Sequence, residues 1–184
     1  MALVRAPMLT KEDYRQLPDT GPRFQLVEGE LYMSPAPNRY HQSISRNLEF
    51  LLLKYLEKNP VGELYHAPFD VYLSEHDVFQ PDIVFVKKEN FQVLTDAGVE
   101  GTPDFVVEIL SPSNAYLDKN QKLRVYARTG VNELWVIDPD ARFVDVHFLQ
   151  QDPLKPARTH READTFTLPH FPGLIISARE IFKK

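Results

Sequence analysis

Residues Pro103-Asp104-Phe105-Val106-Val107-Glu108-Ile109-Leu110-Ser111-Pro112 decide the fold. The run Phe105–Leu110 is apolar, β-branched and bounded by breakers, which predicts a short strand buried on both faces. Glu108 sits at its centre, where an ionised carboxylate is costly without a compensating cation or metal. Upstream, Gln80-Pro81-Asp82-Ile83-Val84-Phe85-Val86 is a second apolar strand with an acid at its mouth. Two acids on adjacent core strands that converge at one point are what a hard divalent cation requires.

Working outward, Thr10 is the expected N-cap of a short helix. Phe24–Val27 and Leu31–Met33 are expected strands joined by a hairpin turn at Glu28-Gly29. From Asn38 to Lys58, Ile44, Leu48, Leu51, Leu52, Tyr55 and Leu56 recur at helical spacing and form one apolar face. Strands follow at Gly62–His66, Phe69–Leu73 and Asp82–Val86, then a short helix from Lys87 to Leu94. After the Glu108 strand, Ser111-Pro112-Ser113 turns the chain into a helix ending near Thr129, with Gly130 as its C-cap. Asn132–Asp138 and Phe143–Leu149 are further strands. Residues 150–164 are polar, contain Pro153 and Pro156, and predict an exposed loop. A strand near Phe166 and a helix from Ser177 close the chain. The order predicts an α/β or α+β domain, a mixed sheet with helices on both faces, spanning residues 1–184 as one unit.

Composition sets bounds. Of 184 residues, 43% are hydrophobic and 26% charged, as in ordinary globular proteins. No Cys is present, so disulfides and thiolate metal sites are excluded. No apolar stretch approaches a membrane span, which sets the expectation of a cytoplasmic protein without a membrane partner. The net charge of −5 argues against broad nucleic-acid affinity. Lys119, Lys122, Arg124 and Arg128 against Asp118 nevertheless make a local basic surface for a phosphate-bearing partner.

Lys122 lies one turn after Asp118 and one turn before Tyr126, on the helix that leaves the Glu108 strand. A short connection folds that helix back onto its sheet, and a Lys on its inner face then reaches the carboxylates. Such an amine stabilises negative charge developing on a phosphate. The plainer reading is a buried Glu108–Lys122 ion pair, with Asp118 and Lys122 an i,i+4 surface pair. The two readings separate in one variant. Repulsion between the acids predicts that Glu108→Gln keeps or raises the melting temperature. Pairing with Lys122 predicts a loss of several kcal/mol. His41 shares the inward stripe of the long helix with Ile44 and Leu48. It reads as a core histidine or, at that helix end, as a site residue. No HExxH spacing, phosphate-cradling Gly loop or nucleophile elbow occurs.

The strings QLVEGEL, HQSISRNL, QPDIVFV, PDFVVEILSPS, QKLRVYARTGVNELWVIDP and FPGLIIS, taken together and in order, resemble the Uma-two family of endonucleases. That family has a restriction-endonuclease-like fold of the PD-(D/E)XK class. The resemblance runs from about Thr10 to the end of the chain. It implies Asp82 as the first metal ligand and Glu108 as the second, with Mg²⁺ or Mn²⁺ bound. Leu110 stands where the tripeptide lysine is usual, and Lys122 fits a lysine moved to the following helix. His41 matches a histidine common in the family's helix motif. Gln25 departs from the pattern, taking a hairpin position that is usually acidic. With Asp118 and Tyr126 it completes the set of auxiliary candidates. The implied function is metal-dependent DNA phosphodiester hydrolysis. Separately from the resemblance, a homodimer is one assembly left open. The alternatives are a catalytically weak or inactive nucleic-acid- or protein-binding member of the fold, and a hydrolase of nucleotides or other phosphoesters.

Overall fold

The computed structural model describes residues 7–18, 20–111 and 121–184. Thr10 caps helix α1 (Lys11–Arg15) with a reciprocal capping box to Asp13. The hairpin β1 (Arg23–Val27) and β2 (Glu30–Ser34) follows, then the long helix α2 (Arg39–Leu56), whose cap Asn38 accepts from the amides of Tyr40 and His41. Next come β3 (Gly62–His66), β4 (Val71–Ser74), β5 (Asp77–Phe79) and β6 (Ile83–Lys87). A 3₁₀ helix at Lys88–Val93 leads to β7 (Leu94–Thr95), β8 (Gly98–Glu100) and β9 (Phe105–Ile109). Helix α3 (Leu123–Arg128), β10 (Glu133–Asp138), β11 (Phe143–Phe148) and β12 (Arg158–Arg161) come after it. The hairpin β13 (Thr165–Leu168) and β14 (Phe171–Ser177) precedes α4 (Ala178–Ile181).

Two six-stranded mixed sheets form, in the orders β2-β1-β5-β4-β8-β7 and β12-β11-β10-β9-β6-β3. In the second, β9 is central, parallel to β10 and antiparallel to β6. All five residues of β9 are buried, as the doubly covered strand predicts. Alternation divides them between two cores. Phe105, Val107 and Ile109 face α2 and α4, packing with Ile44, Leu48 and Trp135. Val106 and Leu110 face α3 and the first sheet, packing with Phe79, Val125 and Tyr126.

The sheet and helices match the mixed α/β architecture expected from sequence, with differences at the edges. Residues 150–164 are not all loop. Arg158–Arg161 pairs antiparallel with β11 as an edge strand. Its sequence, Arg-Thr-His-Arg, has no apolar face; the backbone ladder holds it, with Thr159 donating to Asp145 and His160 stacking on Phe166. Strand β5 was not foreseen either, being three residues between a turn and Gln80. The start of the helix predicted after Ser111, and Asp118 with it, lie outside the described residues.

One turn carries a sharp steric constraint. Gly98 has φ +144, and a Cβ there would collide with the carbonyl oxygen of Asp70. Gly98→Ala is therefore expected to destabilise the fold by about 3 kcal/mol, read by chemical denaturation.

Candidate active site

The β6/β9 register pairs Ile83 with Val107, so one step further brings Asp82 level with Glu108 at the same end of the sheet. Helix α3 covers this end on one side and α2 on the other. From the N-cap of α3, the Lys122 ammonium donates to Glu108 Oε1 at 2.9 Å, and from within the helix the Tyr126 hydroxyl donates to the same oxygen at 2.6 Å. Glu108 is 4% exposed and Lys122 2%. Beneath them, the Phe79 ring meets Tyr126 edge-on and lies under the Lys122 ammonium at 5.6 Å.

Asp82 and His41 are tied to the same strand end through Ile109. The Ile109 amide donates to Asp82 Oδ2 at 2.7 Å, and His41 Nε2 lies 3.0 Å from the Ile109 carbonyl oxygen. His41 Nε2 is also 3.4 Å from Asp82 Oδ2. Burial pulls the His41 pKa down, but its contact with Asp82, the Ile109 carbonyl and the charge of Glu108 outweigh that. The net pKa lies above the ordinary value. Nδ1 of His41 is buried and has no hydrogen-bond partner among the described residues.

These groups open into one cleft of about 680 Å³, lined among others by Asp82, Glu108, Ile109, Lys122, His41 and Gln25. Gln25 is 5% exposed, so it is not a surface residue of the hairpin. Its amide donates to Ser34 Oγ at 2.9 Å, and its oxygen accepts from the Gln80 amide at 3.2 Å. Asp82, Glu108, Lys122, His41, Tyr126 and Gln25 thus come together, while Asp118 falls outside the described residues.

Of the basic stretch after the Glu108 strand, Arg124 is exposed and Lys119 lies outside the described residues. Lys122 is turned onto Glu108, and Arg128 bridges Glu28 at 2.6 Å and the buried Asp77 at 2.7 Å. Arg128 therefore serves contacts within the protein, whereas Lys122, paired with Glu108, still lines the cleft. The exposed cations that line the cleft are Arg23 and Arg46, and His66 and Glu49 stand on its wall. None of these four was singled out by sequence. The signal lay in α2, where Gln42, Ser45, Arg46 and Glu49 form a polar stripe beside the apolar one.

The donor chemistry suits a small hard cation. No cluster of three or more His, Asp or Glu side chains able to hold a metal occurs among the described residues. Mg²⁺ does not need one, since it is commonly held by one or two carboxylates and keeps its remaining positions for water and substrate phosphate. Asp82 Oδ1 has no hydrogen-bond partner among the described residues, and Asp82 lines the cleft with its side chain 19% exposed. The Ile109 carbonyl adds a neutral oxygen beside it.

Comparison with known proteins agrees with this architecture. A structure described as a "putative nuclease belonging to DUF820", from Anabaena variabilis ATCC 29413, superposes with a TM-score of 0.77. It shares 20% identity, over 95% of this chain and 97% of that one, so it speaks for the fold alone. No curated protein matches. The Uma2 family, described as "Putative restriction endonuclease", matches residues 11–179. No helix among the described residues is long and apolar enough to cross a membrane. With that match across nearly its whole length and the fold to go with it, the chain belongs to the Uma2 family of restriction-endonuclease-like proteins.

Proposed function

We propose that this protein is a divalent-metal-dependent phosphodiesterase that hydrolyses DNA, with its chemistry at the end of β6 and β9. The observation that carries this reading is the meeting of Asp82, Glu108 and Lys122 in one cleft at the strand ends. Asp82, Glu108 and the Ile109 carbonyl are the oxygens that would hold Mg²⁺ or Mn²⁺. When bound, the cation supplies positive charge that withdraws electron density from the scissile phosphate and eases deprotonation of the attacking water.

The chain's own groups do the rest. Lys122 sets a cation at the cleft floor, where it offsets the charge that builds on the phosphate as water adds and the ester P–O bond breaks. Tyr126 and Lys122 converge on Glu108 Oε1 and hold that carboxylate in one orientation. The Ile109 amide does the same for Asp82, and His41 braces the Ile109 carbonyl from α2. His41 is therefore a positioning residue, acting through the strand end.

The decisive measurement is cleavage of plasmid and linear DNA in Mg²⁺, Mn²⁺ and EDTA by the wild type and Asp82→Asn. The reading expects cleavage that needs metal and is lost in the variant. Cleavage equal in both proteins, or none in any metal, ends it.

A non-catalytic binding role draws on one specific observation, namely that Glu108 Oε1 already takes two donors. Calorimetric titration with Mn²⁺ separates the readings, since a paired structural Glu108 takes up no metal.

Gln25 offers an independent check. A Glu at this position keeps the bond from the Gln80 amide, and the Ser34 hydroxyl can turn to donate. The substitution thus adds a charge to the cleft at little hydrogen-bonding cost. Gln25→Glu is expected to tighten Mn²⁺ binding by about tenfold, a gain of about 1.4 kcal/mol. Superimposable titration curves would place Gln25 outside the metal's reach.

A further inference from the structure

We infer that the cleft admits an unpaired DNA strand, guided along the polar face of α2, in preference to a duplex. This rests on the reading of the site as DNA-cleaving and adds which form of DNA enters it.

The reacting groups are recessed. Glu108, Lys122 and His41 are buried, and the space above them is a cleft of about 680 Å³. That is the size of a small-ligand site, enough for a few nucleotides of one strand. Duplex DNA is stiff, and bending it into such a recess costs energy that a flexible single strand avoids.

The cleft also has a direction. Asn38, Gln42, Ser45, Arg46 and Glu49 line it from one face of α2. Ile44, Leu48 and Leu52 take the opposite face into the core. From Asn38 to Glu49 the polar stripe runs about 16 Å. It starts beside His41 at the reacting groups and ends at His66 on β3.

There, Glu49 Oε1 holds His66 Nδ1 at 2.7 Å, and the imidazole remains 61% exposed. A planar ring pinned at the open end of a groove is a platform on which an unpaired base can stack, and paired bases have no face to offer it. Arg46 on α2 and Arg23 on β1 are exposed at the cleft without an ion pair among the described residues. Two guanidiniums against the acids of the cleft give only modest phosphate attraction. That favours a short single-strand contact over the many phosphate contacts of duplex binding.

The test uses the full chain in EDTA, where binding is read without cleavage. Fluorescence anisotropy compares a labelled oligo-dT of about 12 nucleotides with a duplex of the same length. The expected result is single-strand binding about tenfold or more tighter than duplex binding. His66→Ala is expected to weaken the single strand by about tenfold, while His66→Phe, which keeps a ring but not the bond to Glu49, retains affinity. Arg23→Ala and Arg46→Ala should each lower the salt slope of log K by about 0.7. Duplex binding as tight as single-strand binding, or an unchanged affinity in His66→Ala, overturns the proposal. An RNA strand bound tenfold more tightly than DNA overturns the assignment to DNA. Single-strand preference without metal-dependent cleavage would sink the nuclease reading and leave the groove standing. Metal-dependent cleavage without that preference would do the reverse.

Discussion

Replacing Glu108 with Gln is expected to cost about 3 kcal/mol of stability and to abolish metal-dependent cleavage. The carboxylate lies 2.9 Å from Lys122 Nζ and 2.6 Å from the Tyr126 hydroxyl, and both Glu108 and Lys122 are almost wholly buried. Losing its charge takes the nearby counter-ion from a desolvated ammonium, which is the costly way to break a buried pair. Mutual repulsion between Asp82 and Glu108 would make the same variant neutral or stabilising, and the contact geometry favours the loss. The companion experiment is the double variant Glu108→Gln/Lys122→Met. Removing both partners also removes the ammonium that the single variant strands, so most of the lost stability should return while cleavage stays absent. Urea denaturation of the wild type, Glu108→Gln, Lys122→Met and the double variant reads the cycle. Single and double variants that add without coupling would show that the pair contributes nothing to the fold.

Asp82→Asn should give the opposite profile. The amide oxygen of Asn can still accept from the Ile109 amide, so stability should change by less than about 1 kcal/mol. Cleavage should fall on the order of 10³-fold, about 4 kcal/mol of lost transition-state stabilisation, and Mn²⁺ binding should disappear with it. A variant that cleaves at the wild-type rate would remove Asp82 from the chemistry. One that unfolds would mean that the charge of Asp82 itself stabilises the strand end. Together the two variants distinguish a carboxylate held by an internal cation from one that faces the cleft.

The sequence by itself determined the central strand. Phe105–Ile109 is apolar with β-branched residues between two prolines, and no packing but burial on both faces satisfies such a run. Its period of two then set Glu108 on the side opposite Phe105, Val107 and Ile109, and the structure divides those residues between two cores as that period requires. The stripe of Ile44, Leu48 and Leu52 likewise fixed α2 and its inward face, because a helix that long must bury an apolar side.

Tertiary structure alone decided the rest. Arg158–Arg161 carries no apolar pattern, and its strand forms because β11 offers an edge and distant Asp145 and Phe166 meet Thr159 and His160. Gln25 reads as a polar hairpin residue, yet it is buried because β1 also pairs with β5 and turns that position toward the Gln80 amide. The basic run near Lys122 suggested a phosphate surface, and its Arg128 is instead spent on Asp77 and Glu28, which come from distant turns. The lining of the cleft by Arg23, Arg46, Glu49 and His66 follows from β1, α2 and β3 meeting in space. Local patterning specifies which face of an element is apolar, because burial is repaid residue by residue. Which polar groups then share a cleft depends on how separate elements cross, and no single stretch of sequence encodes that.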